Sequence, residues 1–481
     1  MKWVGSSLEE EFQKGQNMSE KIKIIDEELI HRELETGRGK SKEEVLEIVA
    51  KGREAKGIEP QEAAALLQVE DPALMEELFQ AARRVKMKIY GKRLVLFAPL
   101  YLSNDCVNNC QYCGFRRDNR LISRKRLTVE ETQEQVRELE NLGHKRLLLE
   151  CGESPLSDID FVEEAIAAVY ATKNGTGEIR RVNVNIAATH VDHYRRLKAA
   201  KIGTYQLFQE TYHRATYEVL HEGPKRDYDR QILAHDRAQE GGIDDVGLGV
   251  LFGLYDYKFE VMGLLYHALH LEKRFGVGPH TISIPRWRPA MGVEFTPPHA
   301  VSDVSFKKLV AILRLAVPYT GMIISTRESV EMRTEAFSLG ISQTSAGSRT
   351  SPGAYGRNGE NQGGGQSEQF HVADHRPPDE VIHSICELGY LPSFCTACYR
   401  RGRTGKEFMD MAKPGDIQEL CAPNAVLTFK EYLLDYAPAE TRQAGEESLR
   451  RHVEEVPAGP LREETERRLQ RIKDGARDLY F

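Results

Sequence analysis

The chain reads as a TIM-type (β/α)8 barrel with a helical N-terminal segment and a mainly helical C-terminal domain. Three observations carry that reading. From residue 93 onward, apolar strand-like runs alternate with helical patterns, which implies a parallel sheet. Eight such units occupy roughly 250 residues, the usual length of a closed barrel. Nearly every unusual polar group falls just after a strand, on the rim where barrels carry chemistry. A doubly wound open sheet is the alternative architecture.

Residues 1–92 are helical in pattern: Glu44–Lys51 and Leu74–Ile89 repeat apolar positions three and four apart, and Pro60 and Pro72 sit where helices start. Arg93–Leu102 is the first strand. Thr128-Val-Glu-Glu131 is a capping box that opens a helix to about Leu142. Further strands are expected at Lys145–Cys151, Ile179–Ile186, Thr204–Phe208, Asp245–Leu251, His280–Arg286, Gly321–Ser325 and Ile341–Ser345. Helices between them are expected at Asp160–Tyr170, Asp192–Ala200, Asp227–Glu240, Tyr257–Phe275, Ser302–Val317 and Ser329–Leu339. The barrel thus spans 93–350. Residues 351–371, rich in Gly, Ser and Asn, read as a flexible surface linker, and 372–481 as a C-terminal metal-cluster domain. Within it, Asp379–Leu388 and Phe429–Asp435 look helical, and Glu446–Lys473 reads as a solvated, charge-paired helix.

Composition removes several functional classes. Lys and Arg total 66 against 73 Asp and Glu, for a net charge of −7, and the two signs are mixed along the chain. No basic face marks a nucleic-acid binder, and no apolar run reaches membrane length. The N-terminal MKWVGSSLEEEFQKG lacks a signal-peptide core, so a cytoplasmic location is expected. Of eight cysteines, six form two triplets, Cys106/Cys110/Cys113 and Cys395/Cys398/Cys421. In a reducing compartment such clusters indicate metal rather than disulfides. Cys151 and Cys386 stand alone and read as buried small hydrophobes.

The first triplet has the spacing C-x3-C-x2-C. Thiolates suit iron–sulfur clusters and zinc; a 4Fe–4S cluster held only by protein takes four of them, so three leave one iron open for a reaction. Half of a zinc knuckle is the alternative, but the matching second pair is missing nearby. On the same rim, Gly152-Glu153 follow the second strand, Asn185 and Thr189 the third, and Gln209-Glu210 the fourth. Gly249–Gly253 follow the fifth, Arg286 and Arg288 the sixth, Ser325 and Arg327 the seventh, and Ser345–Ser348 the eighth. The polar clusters at 209–213 and 325–328 fit barrel-mouth salt bridges as well as a site. The cysteine spacing, with Tyr112 before the last cysteine and the small-small-acid turn Cys151-Gly152-Glu153, resembles the radical S-adenosylmethionine (SAM) enzymes. There the first glycine of the turn is replaced here by Cys151.

The second triplet, C-x2-C-x22-C, again has three thiols and no obvious fourth. It reads as a second cluster with an open corner, or as a zinc site completed by His371, His375 or His383. Together with YLSNDCVNNCQYCGF, RRVNVNIAATH, FQETYHRATYEVLHEGPKRDYD, GIDDVGLGVLFGLYDYKFE, GVGPHTISIPRWRPA and FCTACYRRGRTG, it resembles the tyrosine lyases of FeFe-hydrogenase maturation, the HydG family, over about residues 75–436. The tyrosine lyase of thiamine synthesis (2-iminoacetate synthase) shares the barrel and is the second choice, because this C-terminal triplet is not expected there. A non-catalytic iron–sulfur scaffold and a zinc-bound interaction module are the alternatives outside these lyases.

The resemblance implies a radical SAM carbon–carbon lyase that converts L-tyrosine to p-cresol and dehydroglycine. The latter would yield carbon monoxide and cyanide, delivered as an iron–carbonyl–cyanide unit for the hydrogenase H-cluster. It implies SAM, a 4Fe–4S cluster on Cys106, Cys110 and Cys113, and an auxiliary iron–sulfur cluster on Cys395, Cys398 and Cys421 with a labile fifth iron and a bound cysteine. His280 is chosen for that extra iron, with His267 and His270 as competitors. Tyr112, Gly152, Glu153, Asn185, Glu210, Gly249 and Gly253 are expected to bind SAM, and Arg327 with Ser325 to anchor the tyrosine carboxylate, as a guanidinium fork suits a carboxylate. Implied partners are an electron donor such as ferredoxin or flavodoxin and the other hydrogenase maturation proteins, with no nucleic acid and no membrane.

Overall fold

The computed structural model describes residues 23–356 and 367–481. The expectations for 1–22 and for the middle of the Gly-rich stretch fall outside the described residues.

Four helices come first: α1 (Glu27–Arg38), α2 (Lys42–Gly52), α3 (Pro60–Leu67) and α4 (Pro72–Tyr90). Each start is set by local chemistry. Asp26 and Asp71 accept hydrogen bonds from first-turn backbone N–H groups, Ser41 forms a capping box with Glu44, and Pro60 and Pro72 occupy first-turn positions. The apolar faces of these helices pack on one another and, through α3 and α4, on the helices Tyr257–Phe275 and Asp303–Ala316 of the barrel.

Eight parallel strands then close into a barrel: β1 (Arg93–Ser103), β2 (Arg146–Cys151), β3 (Arg181–Asn185), β4 (Thr204–Gln206), β5 (Asp245–Gly249), β6 (Thr281–Ser283), β7 (Gly321–Ile324) and β8 (Gln343–Ser345). Each pairs with its predecessor, and β8 returns to β1 in the register Val95↔Gln343 to Phe97↔Ser345, which excludes the open-sheet alternative. In β1, every residue after Arg93 is buried, as expected of a strand covered on both faces. Strand and helix expectations agree with the structure to within a few residues, with three instructive exceptions.

The single helix expected at Asp227–Glu240 is two, Tyr228–Ile232 and Ala234–Glu240, broken at Leu233. The break accompanies tertiary hydrogen bonds that pull the first segment onto the rim: Gln231 donates to the Phe208 carbonyl and Arg230 to Glu153. The tail is likewise two helices, Ala439–Glu455 and Pro460–Lys473, separated by Val456-Pro-Ala-Gly459. Leu449, Leu469 and Ile472 are buried, so the tail is packed rather than merely solvated. The helix placed at Phe429–Asp435 starts much earlier, at Ile417; Pro423 lies inside it and hides its first turns from a propensity reading.

The described flanks of the Gly-rich stretch are not surface linker. Tyr355 is buried and donates to the Pro99 carbonyl, Gln369 bonds backbone-to-backbone with Thr350, and His371 does so with Pro289. The chain after them forms the helix Pro378–Glu387 and a ninth strand, β9 (Leu391–Ser393). It pairs in parallel with the start of β1, Arg93↔Leu391 to Val95↔Ser393. The C-terminal region is therefore sewn into the same sheet as the barrel.

Candidate functional site

Two cavities lie at the two ends of the barrel. The larger, about 190 Å³, opens at the carboxyl ends of the strands. All three cysteines of the first triplet line it, with Tyr112, Glu150, Cys151, Gly152, Glu153, Asn185, Glu210, Lys225, Ser325, Arg327, Gln369 and Phe370. Residues distant in sequence meet here because most of them end or follow parallel strands.

The cluster loop leaves β1 at Ser103 and is tied down at several points. Asn104 accepts from the Lys125 N–H and donates to the Ser123 carbonyl; the Val107 N–H reaches the Glu153 carbonyl at 2.8 Å; the Gln111 N–H reaches the Leu220 carbonyl at 3.0 Å. Arg124 donates to the carbonyls of Asn104, Phe115 and Arg116 and so holds the loop from behind. Gly152 crosses directly beneath: a Cβ there would stand 2.2 Å from the Asp105 carbonyl oxygen. Only glycine lets the turn after β2 and the cysteine loop pass this closely. Tyr112 is buried, its ring lining the cavity and its hydroxyl 2.8 Å from His221 Nε2. Burial raises the thiols of Cys106, Cys110 and Cys113, the last to about 11, and the Lys225 ammonium opposes the rise.

The polar groups divide by what already satisfies them. Glu153 takes a hydrogen bond from Asn108 at 2.7 Å and an ion pair from Arg230 at 2.6 Å. Glu210, at φ +69°, pairs with the half-buried Lys225 at 2.6 Å. Arg286 and Arg288 both bind Glu328, and Arg288 also donates to the Arg327 carbonyl, so these two arginines are mouth salt bridges. Arg327 differs. Its guanidinium lies 3.3 Å over the Phe370 ring and has no hydrogen-bond acceptor among the described residues, which leaves its donors to the cavity. Ser325 accepts from the Arg327 N–H at 3.3 Å and fixes the turn that aims it. Glu150, missed in the sequence, sits by Arg327 and Tyr101; burial pushes its carboxyl up to about 7. Gly249 and Gly253 do not line the cavity. Gly249, the last residue of β5, makes room for the Phe208 ring, and Gly253, at φ +118°, abuts Pro297 and Trp287, while Leu251 between them faces the cavity. Cys151, expected as core, also faces the cavity, because it is the last residue of β2.

The smaller cavity, about 50 Å³, lies at the opposite end, among the first residues of the strands: Arg93 and Val95 of β1, Arg146 of β2, Gly321 of β7 and Gln343 of β8. Cys395, Cys398 and Cys421 line it together with His280, Tyr399 and Phe408. Cys395 follows β9, Cys398 lies on a one-turn helix, and Cys421 comes from the helix Ile417–Asp435. The Cys398 and Cys421 thiols interact, which lowers the Cys421 thiol and raises that of Cys398; Arg93, Arg403 and Arg146 add to the lowering. His280 faces Asp245 at 3.5 Å and packs on Phe408, and burial lowers its pKa, so it is a neutral imidazole fit to ligate. None of His267, His270, His371, His375 or His383 lines this cavity. His270 is paired with Asp236 at 2.7 Å and His267 faces the Tyr212 hydroxyl at 3.0 Å.

Both triplets fit an iron–sulfur group by donor chemistry: three thiols line each cavity wall. Three thiols at one wall leave a fourth corner of a 4Fe–4S cluster open to an exogenous group. The guanidiniums beside the second triplet and Lys225 beside the first would balance the charge of bound thiolates.

Comparison with known proteins agrees with this layout. The Radical SAM superfamily matches residues 100–264, and the Biotin and Thiamin Synthesis associated domain matches 283–391. The 2-iminoacetate synthase of Escherichia coli (strain K12) is 30% identical over 331 residues, covering 68% of this chain and 84% of that protein. The crystal structure of HydG from Carboxydothermus hydrogenoformans superposes with a TM-score of 0.81 at 42% identity, over 92% of this chain and 98% of that one. A second HydG crystal structure, described as a maturase of the FeFe-hydrogenase, superposes with a TM-score of 0.92 at 55% identity, over 95% of this chain and 100% of that one. Overlap of that extent, from the N-terminal helices to the C-terminal ones, places the chain in the HydG family, the radical SAM maturases of FeFe-hydrogenase.

Proposed function

We propose that the chain cleaves L-tyrosine to p-cresol and dehydroglycine, and that the carbon monoxide and cyanide derived from dehydroglycine leave as an iron–carbonyl–cyanide unit for the hydrogenase. The observation that carries this reading is Arg327: a guanidinium without an acceptor, stacked on Phe370, in the cavity that also holds the Cys106, Cys110 and Cys113 thiols. A planar fork of donors fits an amino-acid carboxylate. When bound by those cysteines, the cluster and SAM supply a hydrogen-abstracting deoxyadenosyl radical.

The chain's own residues position the rest. Arg327 and Ser325 hold the substrate carboxylate, and Tyr112, Gly152, Glu153, Asn185 and Glu210 line the SAM side of the cavity. Glu150 stands by Arg327 and accepts a proton from the substrate ammonium, leaving the amine neutral for hydrogen abstraction. Phe370, Phe97, Phe115 and Leu251 make the remaining wall apolar and suit an aromatic side chain. At the other end, Cys395, Cys398 and Cys421 hold the auxiliary cluster, and His280 presents its imidazole to the iron that is carried off as cargo.

Anaerobic reconstitution with iron and sulfide, followed by reaction with SAM, tyrosine and a reductant, tests the reading. p-Cresol, carbon monoxide and cyanide should accumulate together with deoxyadenosine. Cresol without carbon monoxide would favour the thiamine-type lyase, and deoxyadenosine without cresol would place the substrate elsewhere.

A further inference from the structure

We propose that the outer face of the first cysteine loop is a docking surface for an acidic one-electron carrier protein. The proposal rests on membership of the radical SAM family and not on the identity of the substrate. Each cleavage of SAM needs one electron. The carrier is oxidised by one electron, the sulfonium is reduced, and its C5′–S bond breaks to give methionine and the deoxyadenosyl radical. That electron has to arrive from outside the large cavity.

Two independent features converge on this face. The three most exposed large apolar side chains among the described residues are Val219 at 70%, Leu121 at 68% and Leu156 at 60%. All three border the cluster loop. The Val219 carbonyl accepts from the side chain of Gln111, the exposed residue between Cys110 and Tyr112, at 2.9 Å. Leu121 follows Asn119, which donates to the Gly114 carbonyl just after Cys113. The Leu156 carbonyl accepts from Arg126 at 2.6 Å. Exposed large apolar side chains held around one loop mark an interaction site.

The second feature is charge. Residues 116–126 carry six Arg or Lys and one Asp, within a chain of net charge −7. Arg124 is consumed in holding the loop; Arg117 is exposed and paired with Asp118 at 3.1 Å and Glu222 at 3.4 Å, and Arg120 is exposed with no acceptor among the described residues. An apolar centre inside a charged rim is the make-up of a transient protein interface, and a local basic patch on an acidic protein selects and steers an acidic partner.

The test compares two reductants on the reconstituted full-length enzyme, with deoxyadenosine as the readout. One is dithionite; the other is an acidic flavodoxin kept reduced by its NADPH-dependent reductase. Arg120→Glu with Arg117→Glu, and separately Leu121→Ser with Val219→Ser, should lower the flavodoxin-driven rate by roughly tenfold, the scale of lost electrostatic steering. The dithionite-driven rate should stay at the wild-type level. Raising salt should slow the flavodoxin-driven reaction of the wild type and spare the dithionite-driven one. Equal flavodoxin-driven rates in variants and wild type would overturn the proposal. So would a parallel fall with dithionite, which would assign these residues to the loop itself. A difference in oligomeric state between variants and wild type, with unchanged flavodoxin-driven rates, would reassign the face to self-association and overturn it too. A wild type inert to both reductants would instead refute the radical SAM reading beneath it.

Discussion

Replacing Arg327 by Lys keeps the charge and removes the fork. In the structure the guanidinium has no hydrogen-bond acceptor among the described residues, so nothing in the folded protein depends on its donors and the barrel should keep its stability. What changes is what the cavity offers a carboxylate. Losing a charge-assisted hydrogen bond costs about 1.5–3 kcal/mol, equivalent to roughly 10- to 150-fold in affinity. The flat stacking on Phe370 at 3.3 Å is lost as well, because an ammonium cannot lie on a ring as a guanidinium does. The expected outcome is a tyrosine KM raised by about 10- to 150-fold, with SAM affinity near normal. Cresol formation against tyrosine concentration gives the first quantity and equilibrium binding of SAM the second. A tyrosine KM within twofold of wild type would refute the carboxylate assignment. Arg286 and Arg288 would be poor substitutes, since both are already bound to Glu328.

Three further outcomes are expected. Glu150, with its carboxyl near 7, should impose a rise of kcat for cresol as pH passes through about 7, and Glu150→Gln should flatten that limb while leaving SAM binding intact. Cys395→Ser with Cys398→Ser should still yield cresol and deoxyadenosine but no infrared bands of iron-bound carbon monoxide and cyanide; loss of cresol in a folded variant would show that the second triplet serves the radical step. Glu140 is buried with neither carboxylate oxygen hydrogen-bonded, and burial raises it from 4.5 to about 7. The folded chain keeps a proton that the unfolded chain gives up, so stability falls as pH rises from about 4.5 to 7. Glu140→Gln should remove that fall and show its advantage in urea midpoints at pH 8 but not at pH 4; equal midpoints at both would show that the carboxyl titrates normally.

The barrel was legible because its strands and helices carry clean periodicities and its caps are local: Thr128 with Glu131 was visible in four letters. The cysteine triplets were legible through spacing alone. Positions whose meaning depends on a neighbour far away in sequence were not. Glu150 looks like any strand residue until Tyr101 and Arg327 surround it, and Lys225 is one cation among many until it meets Glu210. Gly249 carries a packing reason that its place in the sequence does not display: the missing side chain makes space for Phe208. His280 could be preferred over His267 and His270 only as a choice; its place beside the second triplet comes from the parallel strands bringing their first residues together.

The pairing of β9 with the first residues of β1 bears on how this enzyme can be cut or recombined. A truncation at residue 371 would do more than discard a cassette. It would strip the Arg93–Val95 edge of its backbone partners and take away the helix that supplies Cys421. Unpaired strand edges seek other chains, so the shortened protein should aggregate rather than survive as a smaller radical SAM enzyme. Grafts between relatives would then succeed when the junction lies upstream of β1 or after the last helix, and fail when it severs the sheet.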